Sequence, residues 1–190
     1  ALHQWEEPPI SGSRGSGTVF FSGCPLGCVF CQNESISHGN FGQVIAVDRL
    51  REICLELAAQ GAHNINLVNP THFAHVVRRL LDRPLPVPVV WNSGGYDRVD
   101  VLRSLAGRIQ IYLPDLKYDD PATAARYSDA PDYPETAKAA IVEMVRQTGP
   151  CVIEDGLLRR GTVIRHLILP GQTAQAKRVM DWVAETFPPG

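Results

Sequence analysis

The chain has 190 residues, the length of one domain, with 18 Lys and Arg against 20 Asp and Glu and a formal charge of −2. Hydrophobic residues at 44% and charged residues at 20% suit a globular chain with a real core. The balanced charge lacks the electrostatic footprint of a nucleic-acid binder, and no run of roughly 18 apolar residues is present to cross a membrane.

Residues 1–16 read as an extended lead-in. They begin without Met, contain Glu6-Glu7-Pro8-Pro9, and carry neither the basic stretch nor the apolar segment of a secretory signal. The chain therefore reads as a trimmed or partial one, and a cytoplasmic setting is expected. A short apolar strand is expected over 17–21. It leads into Cys24-Pro25-Leu26-Gly27-Cys28-Val29-Phe30-Cys31, three thiols on one loop. Asp48 is expected to cap a helix over 48–60, with Leu50, Ile53, Cys54, Leu57 and Ala58 on its buried face, stopped at Gly61. A strand over 65–69 is followed by a helix capped by Thr71 and burying Phe73, Val76, Val77, Leu80 and Leu81. A strand over 89–92, a turn at Ser93-Gly94-Gly95 and a helix from Asp97 to Ala106 come next. Then a strand over 108–113, a helix opened by Asp120-Pro121, and a longer helix from Pro134 to Gln147. A strand over 162–169 and a helix over 173–187, burying Ala176, Val179, Met180, Val183 and Phe187, complete the chain.

Strand and helix alternate five times, which implies an α/β fold with a parallel sheet and right-handed crossovers. The chain is expected to be a single domain over 1–190, the β/α repeats filling 17–190. Ligands of such sheets lie at the carboxyl ends of the strands. The polar residues there are the cysteine loop, Asn69-Pro70-Thr71-His72, Asn92-Ser93-Gly94-Gly95, Asp115-Leu116-Lys117 and Arg165-His166.

Five cysteines, three of them clustered, make a poor disulfide framework. Soft thiolates select zinc, Cu(I) or iron–sulfur clusters. Three local ligands leave a fourth position to be filled from elsewhere or kept open for chemistry. His38 closing a zinc knuckle is the alternative. Cys54 is expected as a buried helix thiol and Cys151 as a buried thiol at a strand start.

The cysteine spacing directly after a first strand, with Phe30 before the last Cys, resembles the radical S-adenosylmethionine superfamily. Phe20-Phe21-Ser22-Gly23-Cys24, Cys31-Gln32-Asn33, Leu113-Pro114-Asp115-Leu116-Lys117-Tyr118 and the stretch from Arg165 to Gly171 are similar to relatives of the pyruvate formate-lyase activating enzyme. The resemblance implies a partial (β/α)6 TIM-like barrel whose sixth strand lies beyond this chain. It implies a [4Fe–4S] cluster on Cys24, Cys28 and Cys31, with S-adenosylmethionine on the fourth iron. Cleavage of that cofactor yields a 5′-deoxyadenosyl radical, which abstracts hydrogen from a substrate. Phe30 lies by the adenine in that family. Asp115 and Lys117 match cofactor contacts of the activating enzymes, and Asn69, Asn92, Ser93 and Arg165 stand at the other strand ends that hold the cofactor. Asn92-Ser93 replaces an Asp-Thr pair, and Asn69-Pro70-Thr71-His72 replaces a Gly-Gly-Glu-like motif. No side chain is assigned as catalytic. The branch implies an electron donor such as flavodoxin or ferredoxin and a glycine of a glycyl radical enzyme as substrate. Action on a small molecule or peptide, and a non-catalytic iron–sulfur or zinc module, are the other readings.

Overall fold

The computed structural model describes residues 1–39 and 41–187. In chain order the elements are β1 (Leu2–His3), α1 (Pro8–Ser11), β2 (Ser16–Phe20), α2 (Glu34–Ser37), α3 (Val47–Ala59), β3 (Ile65–Val68), α4 (Ala74–Leu80), β4 (Val89–Ser93), α5 (Val99–Ser104), β5 (Ile111–Pro114), α6 (Pro121–Ser128), α7 (Tyr133–Thr148), β6 (Val152–Glu154), β7 (Leu157–Thr162) and α8 (Thr173–Thr186). They form a mixed α/β fold on one seven-stranded sheet of order β1-β2-β3-β4-β5-β7-β6. The five inner strands run parallel, and β1 and β6 add antiparallel at the two rims. The sheet does not close on itself.

Register sorts the side chains into two faces. Val19, Leu67, Trp91 and Tyr112 lie in one row across four strands. That row packs with Cys54, Leu57, Val77, Leu80, Leu102, Leu105 and Met144 from the helices. The opposite face is more polar, with Thr18, Asn66 and Asn92 buried beside Val90, Ile111 and Leu113. Ile10 of α1 covers part of it. A third apolar cluster, of Leu26, Leu116, Tyr118, Ala124, Tyr133, Ala137, Ile141 and Val179, joins the cysteine loop to α6, α7 and α8.

Several local expectations hold. Asp120 caps α6 by accepting the N–H groups of Ala122 and Thr123 at 3.0 and 3.1 Å, with Pro121 at the first helical position. Others are corrected. The lead-in is not simply extended: it pairs through β1 and turns through α1. Helix α3 begins at Val47 behind Ala46, so Asp48 stands in its first turn, where a carboxylate complements the helix dipole, and caps nothing. Thr71 opens a 3-10 turn (Thr71–Phe73) ahead of α4 and donates its hydroxyl to Asp97 instead of capping. Asp97 lies before α5, not in it.

The strand expected over 162–169 lies earlier. Asp155 (φ 52°) and Gly156 (φ 75°) make a two-residue left-handed turn, which folds β6 and β7 into a hairpin. Only the bridge between Asp115 and Arg165 continues the sheet afterwards. Cys151 heads the rim strand of that hairpin and is exposed, not buried. Met180 is 58% exposed, because the buried stripe of α8 runs through Gln175, Ala176 and Val179.

Glu143 of α7 illustrates a buried charge that is fully paired. Its carboxylate accepts from Arg146 at 2.7 and 2.8 Å and from Gln147 at 2.8 Å, and Arg103 approaches to 3.5 Å. The Arg146 bonds, outweighing burial and aided by Gln147, hold the group at about 2 instead of 4.5. A depressed carboxylate stabilises the fold fully above its unfolded value and loses that contribution as pH falls through the folded one. Glu143→Gln is therefore expected to flatten the acid limb of stability between about pH 4.5 and 2. Denaturant melts across that window check this, and an unchanged limb would contradict it.

Candidate metal centre

The cysteine loop leaves the carboxyl end of β2 and is held from two sides. Leu26, 2% exposed, sinks into the cluster shared with α6 and α7. The backbone N–H groups of Gly27 and Val29 donate to the carbonyls of Ser128 and Tyr127 at 2.9 and 3.0 Å. Cys24, Cys28 and Cys31 are half-buried free thiols. Each sulfur has a polar neighbour: the Leu26 N–H donates to Cys24 Sγ at 3.5 Å, Ser128 Oγ lies 2.9 Å from Cys28 Sγ, and Ser37 Oγ lies 3.1 Å from Cys31 Sγ. Burial pushes the Cys24 thiol up against the opposing pull of the Leu26 N–H.

Three thiolates on one loop can serve a zinc ion or an iron–sulfur cluster. Among the described residues, no three His, Cys, Asp or Glu side chains converge tightly enough for one metal ion. A structural zinc needs its sulfurs crowded at about 2.3 Å from a single centre. A cubane places each ligand on a separate iron, so its sulfurs stand apart. His38, the residue that would close a zinc tetrahedron, donates its Nε2–H to the Leu26 carbonyl at 3.1 Å. Three thiolates supply three of a cubane's four corners, so the donor set fits a [4Fe–4S] cluster with one iron left for a further ligand.

Facing the loop are the ends of the parallel strands. After β3, Asn69 takes a left-handed backbone (φ 57°), which asparagine tolerates better than most residues. Its side-chain amide donates to the Gly23 carbonyl, tying the β3 end to the residue before Cys24. At the end of β4, Asn92 is 5% exposed and accepts from Arg165 Nη2 at 2.6 Å. After β5, Asp115 accepts from Lys117 Nζ at 2.5 Å and from Arg165 Nε at 3.0 Å. Burial alone would raise the Asp115 carboxyl, but Lys117 and Arg165 outweigh it and hold it below the usual carboxylate range. Phe30 is half-buried against the α6–α8 cluster.

Thus Asn92, Asp115, Lys117 and Arg165 share one bonded network, and Asn69 adjoins the cysteine loop. Ser93 accepts the Asp115 N–H on its carbonyl at 3.0 Å, but its side chain does not join them. Its hydroxyl donates to Asp97 Oδ2 at 2.6 Å, in a buried knot where Thr71 and Trp91 Nε1 donate to Asp97 Oδ1 at 2.8 and 3.3 Å. Burial raises the Asp97 carboxyl despite these three donors. His166 turns away from Arg165 and donates Nδ1–H to the Leu116 carbonyl at 2.6 Å.

Gly95 lets the β4 loop press against β5: a side-chain carbon there would lie 2.1 Å from the Asp115 carbonyl, and its φ is 78°. Tyr133, fully buried, sits at the same junction. Its phenol oxygen accepts the Lys117 N–H at 2.9 Å and lies 2.8 Å from both the Gly94 and Asp115 carbonyls.

Two acidic residues of the lead-in, a stretch the sequence suggests only as an entry segment or a part of the barrel mouth, belong to this site. Glu6 and Glu7 approach Arg165 Nη1 at 3.6 and 3.8 Å, and Glu6 also accepts from Asn66 at 3.0 Å. Their signal was the carboxylate pair Glu6-Glu7, which α1 and β1 bring to the strand ends. Ser37 and Ser128 were also missed, and nothing local in the sequence marks Ser128, 100 residues from its partner Cys28.

Comparison with known proteins adds two findings. An uncharacterized protein of Methanocaldococcus jannaschii is 29% identical to the chain over 196 residues, covering 98% of the chain and 53% of that relative. The chain thus spans about half the length of the curated relative it matches. Residues 11–113, which include the cysteine loop and the ends of β2, β3 and β4, match a 4Fe-4S single cluster domain of a kind found in radical S-adenosylmethionine-type proteins. With more than half of its length in that match and three thiols spaced for a cluster, the chain belongs to the family of 4Fe-4S single cluster domains.

Proposed function

We propose that the chain is the core of a radical S-adenosylmethionine enzyme, its open sheet being a section of a partial (β/α)6-type barrel. The observation that carries this reading is the pairing of three loop thiols with a strand-end rim built from Asn69, Asn92, Asp115, Lys117 and Arg165. Cys24, Cys28 and Cys31 would hold three irons of a [4Fe–4S] cluster. Bound together, the cluster and S-adenosylmethionine supply one-electron cleavage of the sulfonium and a hydrogen-abstracting radical.

The protein's part is to bind, orient and exclude water. Lys117 and Arg165 are the cations suited to a carboxylate. Asp115 and the side-chain oxygen of Asn92 are acceptors suited to ribose hydroxyls. Phe30 supplies an aromatic face for an adenine, and Asn69 fixes the β3 carbonyls beside Cys24. Ser93 would act at one remove, by holding the β4 loop through Asp97. The fitting substrate class is a backbone glycine of a partner enzyme, reached through the open edge of the sheet, with a small molecule or peptide as the second class. Flavodoxin or ferredoxin in the cytoplasm would deliver the electron.

Anaerobic reconstitution with iron and sulfide, followed by electron paramagnetic resonance with and without S-adenosylmethionine, tests this. The expected result is a spectrum perturbed by the cofactor and 5′-deoxyadenosine formed after dithionite reduction. A cluster signal indifferent to the cofactor, with no nucleoside product, would reduce the chain to a non-catalytic iron–sulfur module.

A further inference from the structure

Cys28 is the one loop cysteine whose sulfur meets a hydroxyl with a second buried hydroxyl behind it. Ser128 Oγ lies 2.9 Å from Cys28 Sγ and 2.6 Å from the phenol oxygen of Tyr118. Ser128 is 1% exposed and Tyr118 fully buried, so water does not compete for these bonds. The geometry is rigid. Ser128 ends α6, and its carbonyl and that of Tyr127 accept the Gly27 and Val29 N–H groups that frame Cys28. Tyr118 is braced edge-on by Tyr133, ring centroids 5.4 Å apart.

The polarity follows from counting protons. A metal-bound thiolate has none, so at Cys28 the serine must donate. Ser128 has a single hydroxyl proton, so at its other side it accepts, and Tyr118 donates. Cys31 offers the contrast within the same loop. Ser37 Oγ lies 3.1 Å from Cys31 Sγ and also 2.9 Å from the Asn33 carbonyl, the back-bond usual for serine in a helix, so its one proton has two acceptors. Ser37 therefore divides its proton between the carbonyl and the sulfur, whereas Ser128 gives its own to Cys28 alone.

We propose that Ser128, oriented by Tyr118, donates to the Cys28 thiolate and raises the reduction potential of the cluster held there. A donor at a ligating sulfur withdraws electron density and favours the more negative, reduced cluster. Tyr118 acts through Ser128 and is a positioning residue. The inference rests on Cys28 as a cluster ligand and does not require S-adenosylmethionine.

The test is a dithionite titration of the reconstituted chain, without S-adenosylmethionine, read by electron paramagnetic resonance of the reduced cluster. Ser128→Ala is expected to shift the one-electron equilibrium about tenfold toward the oxidised form, about 59 mV. Tyr118→Phe is expected to shift it in the same direction by less, because the serine keeps its proton but loses its orientation. Ser128→Thr should restore the wild-type potential, and Ser37→Ala should shift it by less than Ser128→Ala does. A Ser128→Ala chain with full iron content and the wild-type potential would overturn the proposal. So would a Ser37→Ala shift of equal size. Should Ser128→Ala fail to assemble, the Tyr118→Phe and Ser128→Thr potentials decide alone. A wild-type chain that binds no cluster would instead strike down the ligand assignment, and this inference with it.

Discussion

Cys28→Ala is expected to leave the chain without a cluster after anaerobic reconstitution, its iron and sulfide falling to background, whereas Cys54→Ala loads iron like the wild type. The contrast follows from where the thiols stand. Cys28 is held half-buried at the rim of the cysteine loop by the backbone pairing with α6. On the proposed assignment, its removal takes one of three protein ligands from a group that usually has four. Cys54 is fully buried in α3 among Leu50, Leu57 and Val77, and burial pushes its thiol up to about 11, so it is neither accessible nor a thiolate at neutral pH. Cys151 lies exposed on the far hairpin. Iron and sulfide assays beside the visible absorption of the cluster measure the difference. Equal iron in the two variants would contradict the ligand assignment.

Asp115→Asn is expected to have the second large effect, on fold and site together. Asp115 joins Lys117 to Arg165, and Lys117 has no other acidic ion-pair partner among the described residues. Removing one member of a fully buried pair costs about 3–5 kcal/mol. These side chains are 17–28% exposed, so solvent screening reduces the expected loss to about 2 kcal/mol. The sign of the pH effect is fixed by the direction of the shift. The folded carboxyl sits below its unfolded value, so its contribution is complete above about pH 4 and is lost as pH falls through the folded value. The variant should therefore be less stable at neutral pH and lose less on acidification. Thermal melts at pH 7 and pH 3 give the comparison, and parallel losses in both proteins would contradict it.

Much of the centre was legible because it is local. Three cysteines within eight residues, with Pro25 and Gly27 to turn the backbone, announce their chemistry without tertiary knowledge. The strand ends were also readable, since alternation places Asn69, Asn92 and Asp115 at one edge of a parallel sheet. Boundaries failed where a competing local preference won. Asp155-Gly156 specifies a tight turn more strongly than the apolar run after Thr162 specifies a strand, so the hairpin took the sheet edge and the run became a loop. Thr71 looked like a cap and Asp97 like the start of a helix, and the two bonded to each other because the β3 and β4 ends meet there. Ser128 at Cys28 and Glu6 at Arg165 depend on contacts 100 and 159 positions apart, which no single-sequence pattern encodes.

The acidic lead-in would make the proposed capture of a carboxylate at Arg165 a competition. Its guanidinium already faces Asp115, Asn92, Glu6 and Glu7. An arriving carboxylate must displace one of these internal tenants, so its affinity reports the difference between two ion pairs and not the worth of one. Exchanging like charge for like also changes the local ion atmosphere little, and such a swap responds weakly to added salt.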